Sequence, residues 1–141
     1  MKKIFLIGFM AITGCLLSCG SNTQSENSAT VQEAPSSAYK IDNNRIIPTN
    51  GKPTIVDFSA TWCPPCRQLK PIFERLEKEF EGRINFITID VDNNPELSQS
   101  YQVSSIPMLL FLNKDGQIQN TIVGFRDYDQ LLSAINTSFG F

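Results

Sequence analysis

Thr54-Ile55-Val56-Asp57-Phe58-Ser59-Ala60-Thr61-Trp62-Cys63-Pro64-Pro65-Cys66-Arg67 is the stretch on which the reading of this chain turns. Thr54 to Ala60 is a short, mostly apolar run with β-branched residues, the pattern of a buried strand. Beyond the proline pair, Leu69, Ile72, Phe73, Leu76 and Phe80 recur at helical spacing, and Gly82 marks where that helix stops. The two cysteines therefore stand at a strand-to-helix junction. The first N–H groups of a helix have no internal partner and carry a partial positive charge. A cysteine placed there is favoured as the thiolate, with its pKa pulled below the free value of about 8.5. Two intervening residues keep both sulfurs within disulfide reach on one turn. Pro64 and Pro65 fall where a missing N–H costs little, and they stiffen the turn. Cys63 is expected to be exposed and Cys66, one turn further in, to be covered.

Working outward, Tyr39 to Asp42 is expected as a short edge strand and Asn50-Gly51-Lys52-Pro53 as a turn. Pro71 lies inside the first helix and should kink it. Ile84 to Val91 is the next strand, and Asn94-Pro95 opens a short helix to about Tyr101. Met108 to Leu112 and Ile118 to Val123 are strands joined by a turn at Lys114-Asp115-Gly116. Asp127 to about Thr137 forms a final amphipathic helix. The first two main strands should be parallel through a crossover, and the last two an antiparallel hairpin. The expected class is α/β, a mixed central sheet with helices on both faces.

Bulk properties narrow the chemistry. The chain has 141 residues, 41% hydrophobic and 18% charged, which suits one small domain. Its formal net charge of -2 gives no sign of a nucleic-acid partner. There is no His, which removes Cys-His and Ser-His catalysis and His-bound zinc. A zinc site at Cys63-x-x-Cys66 would need a second ligand pair, covalent haem would need His where Arg67 stands, and an iron–sulfur cluster lacks ligands as well. No metal or other cofactor is implied. A structural disulfide is the remaining alternative to a redox pair, but structural bridges usually close longer loops, where they stabilise more.

The segment from about Thr54 to Asn136 resembles the thioredoxin family, with the residues before it a shortened first strand and helix. The family carries Trp-Cys-Gly-Pro-Cys-Lys where this chain has Trp-Cys-Pro-Pro-Cys-Arg. Ser105-Ile106-Pro107-Met108 is similar to the family's cis-proline loop, and Val123-Gly124 to its third loop beside the dithiol. Asp57 matches the family's buried Asp, and Pro71 its helix-kinking Pro. The resemblance implies a thioredoxin fold, with Cys63 as nucleophile, Cys66 as resolving cysteine and Asp57 in proton transfer. It also implies that Trp62, Ile106, Pro107 and Gly124 contact substrate. Three of these have a plainer alternative: Pro107 an ordinary trans proline at a strand start, Asp57 a surface acid, Trp62 a core residue. Burial would raise the Asp57 pKa by desolvation. Two departures stand out. Pro64 replaces the family Gly, at a place where members differ in reduction potential. Thr88 stands where members often carry a Lys near the buried Asp.

The N-terminal residues suggest where the chain works. Lys2 and Lys3 precede an apolar run from Ile4 to Leu17, about fourteen residues against the roughly twenty that a membrane span needs. This reads as a signal-peptide core. Leu16-Leu17-Ser18-Cys19-Gly20 resembles the lipobox of bacterial lipoproteins, which implies cleavage before Cys19 and lipidation of it. The alternative is an ordinary cleavage site that leaves Cys19 as a spare thiol. Residues 1–18 are thus expected as signal, 19–38 as a lipidated and disordered Ser/Asn/Gln-rich tether, and 39–141 as the domain. The expected setting is the bacterial periplasm, with lipid anchorage to a membrane. The expected activity is reduction of disulfides in exported proteins, with a membrane electron-transfer protein as reductant. Ile106 before Pro107 favours a reductase, since oxidants of the family often have Val or Thr there. An oxidant or isomerase is the alternative within the fold, and a lipid-tethered binding module the alternative outside enzymology.

Overall fold

The computed structural model describes residues 38–141. The expected signal, the lipidation site at Cys19 and the tether up to residue 37 lie outside the described residues. Among the described residues no helix is long and apolar enough to cross a membrane.

The chain begins with an antiparallel hairpin, β1 (Tyr39–Asp42) and β2 (Arg45–Pro48), paired Asp42 to Arg45 across Asn43 and Asn44. Both asparagines have positive φ, 49° and 55°, the geometry of a two-residue type I′ turn that Asn tolerates better than most side chains. This corrects the expectation of an edge strand followed by a helix. Tyr39–Asp42 is a strand, but it belongs to its own two-stranded sheet, and no helix precedes the main sheet among the described residues. Ala38, expected as the last tether residue, is already buried, and its carbonyl accepts from the Thr49 N–H.

The main sheet has four strands in the order β4-β3-β5-β6: β3 (Thr54–Ser59), β4 (Asn85–Asp90), β5 (Met108–Leu112) and β6 (Ile118–Val123). β3 runs parallel to β4 and antiparallel to β5, and β5 and β6 form the closing hairpin. β3 has a partner on each side and its first five residues are buried, which is why it reads as a continuous apolar run. Alternation of side chains across the sheet divides the core in two. Ile55, Phe86, Leu109 and Phe111 pack with α1 (Pro64–Glu79) and α3 (Tyr128–Phe139) on one face. Val56, Phe58, Ile87, Ile89, Met108, Leu110 and Leu112 pack on the other with Leu97 of α2 (Pro95–Ser100) and Ile46 of the hairpin. Helices therefore lie on both faces, as expected.

Local chemistry sets the ends of these elements. In α1, Cys66, Leu69, Phe73 and Leu76 form the buried stripe, and Pro71 removes the N–H that would have bonded the Arg67 carbonyl. α3 opens on a reciprocal capping box between Asp127 and Gln130. Gly116 closes the β5–β6 turn at φ 76°, and a Cβ there would sit 3.0 Å from the Ile46 carbonyl oxygen, so any side chain would press on the docked β2.

Candidate functional site

The parallel strands β3 and β4 both run toward one end of the sheet, and the loops beyond them meet there. β3 delivers Ala60, Thr61, Trp62 and Cys63; β4 delivers Val91 and Asp92; the segment before β5 brings Ser104 to Pro107. This is the position where a crevice opens in sheets with parallel strands.

Cys63 is the N-cap of α1, with φ -85° and ψ 111°, and Pro64 and Pro65 occupy the first helical turn. Cys63 and Cys66 are joined by a disulfide, with Cα atoms 5.3 Å apart. The Cys66 N–H donates to the Cys63 sulfur at 3.3 Å, and the Arg67 N–H donates to the Cys63 carbonyl at 3.2 Å. A helix N-terminal N–H aimed at this sulfur is the arrangement that stabilises a thiolate once the bond is reduced. The expectation that Cys63 is exposed is corrected: its side chain is 2% exposed and that of Cys66 3%. Cys63 packs with Ala60 and Cys66, and Ile106 and Val91 close over this small cluster. The asymmetry between the two sulfurs lies elsewhere. Cys63 lines an open groove of about 440 Å³ with Trp62, Pro64, Val91, Ser105 and Ile106, whereas Cys66 does not.

The Ile106–Pro107 peptide bond is cis. The Ile106 carbonyl oxygen lies 3.9 Å from the Cys63 sulfur. A disulfide sulfur carries no hydrogen, so this is a packing contact that brings the loop against the dithiol. Pro107 is buried and its carbonyl accepts from the Gly124 N–H at 2.8 Å. Gly124 has φ 86°, a conformation that side-chain-bearing residues rarely adopt, and it ties the end of β6 to the cis-proline loop.

Trp62 is 63% exposed, which removes the core alternative. Its indole Nε1 donates to Asp92 Oδ2 at 2.7 Å, so the ring is held as one wall of the groove. Asp92 was not legible as a site residue. Its place just beyond a parallel strand is the signal that could have found it. Ser98, Val103 and Ser104, which also line the groove, carried no such signal.

Asp57 sits in β3, 3% exposed. It shares the strand with Ile55, two residues away and packed under α1, so alternation points Asp57 to the face that also holds Cys66. Its Oδ1 is buried without a hydrogen-bond partner. Burial alone pushes the carboxyl from 3.8 up to about 7. Thr88 stands beside it in register on β4, so no cation offsets the desolvation from that position. Of the expected site residues, then, Trp62, Cys63 and Ile106 line one groove. Pro107 and Gly124 support its wall, Cys66 and Asp57 lie behind it, and Cys19 falls outside the described residues.

A buried disulfide between cysteines three residues apart at a helix start, beside an open groove, is suited to exchange with another disulfide. The Thioredoxin family model matches residues 36–137. The thioredoxin of Borreliella burgdorferi is 41% identical over 90 residues, 64% of this chain and 76% of the relative. That of Listeria monocytogenes is 43% identical over 82 residues, 58% and 79% of the two chains. That of Staphylococcus aureus is 40% identical over 82 residues, 58% and 78%. The chain belongs to the thioredoxin family, as a thiol–disulfide oxidoreductase whose redox pair is Cys63 and Cys66.

Proposed function

We propose that this protein reduces disulfides of exported proteins in an oxidising compartment, drawing its electrons from a membrane electron-transfer protein. The observation that carries the chemistry is the placement of Cys63. It is the helix N-cap, takes the Cys66 N–H on its sulfur and lines the groove, while Cys66 does not. In the reduced protein the Cys63 thiolate attacks one sulfur of a substrate disulfide. A mixed disulfide forms and the first substrate thiolate leaves. Cys66 then loses its proton to Asp57 and attacks the Cys63 sulfur. The second substrate thiolate leaves as the Cys63–Cys66 bond closes. Two electrons have passed to the substrate, and an external dithiol must restore the pair.

The exported setting is supported by the leader-like residues 1–18 and by Cys19. A reductant carried through the membrane follows from it, because NADPH-linked reductases stay in the cytoplasm. The reducing direction is supported by Ile106 before the cis proline.

Reduction of insulin under a limiting supply of a chemical dithiol tests the enzyme. Turnover should exceed the protein-free rate. It should vanish in Cys63→Ser. A rate no faster than background refutes the proposal. Direction is read from the reduction potential of the pair: a value near about −270 mV supports a reductase and one near about −120 mV an oxidant.

A further inference from the structure

The loop that follows β6 carries two side chains that the exchange chemistry leaves unused, Phe125 and Arg126. The loop is fixed to the site, since the Gly124 N–H is bonded to the Pro107 carbonyl at 2.8 Å. Phe125 is 38% exposed on it. Arg126 folds back along the loop. Its Nη1 donates to the Phe125 carbonyl at 2.7 Å and lies 3.8 Å from where a Cβ on Gly124 would be. The guanidinium thus borders the bare surface that Gly124 leaves beside the cis proline.

Its charge is uncommitted. Among the described residues the one ion pair is Lys70–Glu74, on the outer face of α1. The adjacent Asp127 caps α3, accepting the Gln130 N–H at 2.9 Å. Asp92 is taken up by the Trp62 indole at the other end of the site. The groove itself has no charged side chain in its lining. A guanidinium has five N–H donors in a planar fork suited to a carboxylate, and one carbonyl uses only part of it.

We propose that Arg126 is a specificity-determining residue, pairing with an Asp or Glu side chain close in sequence to the cysteine that Cys63 attacks. This rests on the exchange chemistry proposed above. Substrates are then polypeptides whose disulfide has an acidic neighbour on the side that runs over Gly124, and the groove takes an uncharged neighbour on the other. Arg67, next to Cys66 in sequence, is a second guanidinium near the dithiol. It is exposed, holds the Thr61 carbonyl at 3.1 Å, and serves as the control.

The test uses the reduced Cys66→Ser protein, which attacks but cannot resolve, so the second-order rate of mixed-disulfide formation is read directly. Small disulfide peptides carry Asp, Asn or Lys at each flanking position in turn. Each rate is divided by that of a small neutral thiol, which removes the effect of the peptide's own charge on its leaving group. One position should favour Asp over Asn by about two- to fivefold, the range of a partly exposed ion pair. The preference should disappear in Arg126→Gln, survive in Arg126→Lys and Arg67→Gln, and shrink as salt is added. No preference at any position, or one that persists in Arg126→Gln or is lost in Arg67→Gln instead, overturns the inference and leaves the exchange reading standing. Absence of mixed disulfide with every peptide overturns both.

Discussion

Asp57 shows how one residue can be legible in place and only partly legible in effect. Its apolar neighbours in Thr54 to Ala60 announce burial, and burial raises a carboxyl pKa. What the sequence does not reveal is how little offsets that burial: an orphaned Oδ1 and a threonine alongside. The consequence for stability has a definite sign. The folded pKa of about 7 lies above the ordinary 3.8, so the folded state holds the proton more tightly. The stability is fully present below about pH 4 and is lost as pH rises through 7. The displacement corresponds to at most ~4 kcal/mol. Asp57→Asn cannot ionise. Its buried amide adds a constant offset, but the difference from wild type should move in the variant's favour between pH 5 and pH 8.5 by about 2–3 kcal/mol. Denaturant unfolding of both oxidised proteins across that range measures it. Parallel pH profiles would mean that Asp57 is not held protonated by its surroundings. Cys63 was legible as the helix cap but not in its burial, because the covering groups come from Val91 and Ile106, distant in sequence.

The elements were readable where hydrophobic period and punctuation agreed. α1 has its stripe and proline start, β5 its unbroken apolar run, and α3 its Asp127 and Gln130 cap. The N-terminal hairpin was missed because β2 is only Arg45–Pro48 and its turn is Asn-Asn rather than the stronger Asn-Gly signal. The hairpin is held to the main fold by Ile46 and Tyr39 packed on the core, a bond from the Ile46 N–H to the Tyr101 hydroxyl at 2.8 Å, one from the Ser100 hydroxyl to the Asn44 carbonyl at 2.6 Å, and the tight approach to Gly116. Two glycines separate backbone strain from this docking. Gly82 and Gly116 share φ 76°, but a Cβ at Gly82 meets nothing within 4 Å. Alanine at either costs the left-handed backbone penalty, ~1 kcal/mol. Gly116→Ala should cost at least about 1 kcal/mol more, because the clash is with backbone rather than with a flexible side chain. Thermal or denaturant unfolding of the pair decides it. Equal losses would show that β2 gives way without penalty and that the hairpin is only loosely docked.

At the scale of the whole molecule, the proposed function assigns catalysis and location to two parts of the chain that have different physical demands. The domain buries a two-sided core around β3. Among the described residues, the contacts that hold Cys63, Cys66, Trp62 and Pro107 come from residues between Asp57 and Gly124. The leader is read from composition alone: two lysines, an apolar core too short to span a membrane, and Cys19 directly after it. On that reading Cys19 carries acyl chains, each contributing about 0.8 kcal/mol per buried methylene, and together they hold the protein at a membrane. On the same reading Cys19→Ala removes the lipid attachment point and leaves every described residue of the dithiol site unchanged. The variant should therefore be released from membranes on fractionation, or accumulate with its leader uncut. The purified domain should reduce insulin at the wild-type rate and unfold at the same denaturant concentration. Membrane fractionation identical to wild type would exclude lipidation of Cys19. Loss of activity in the soluble variant would mean that the leader and the exchange site are coupled, against the proposed division of labour.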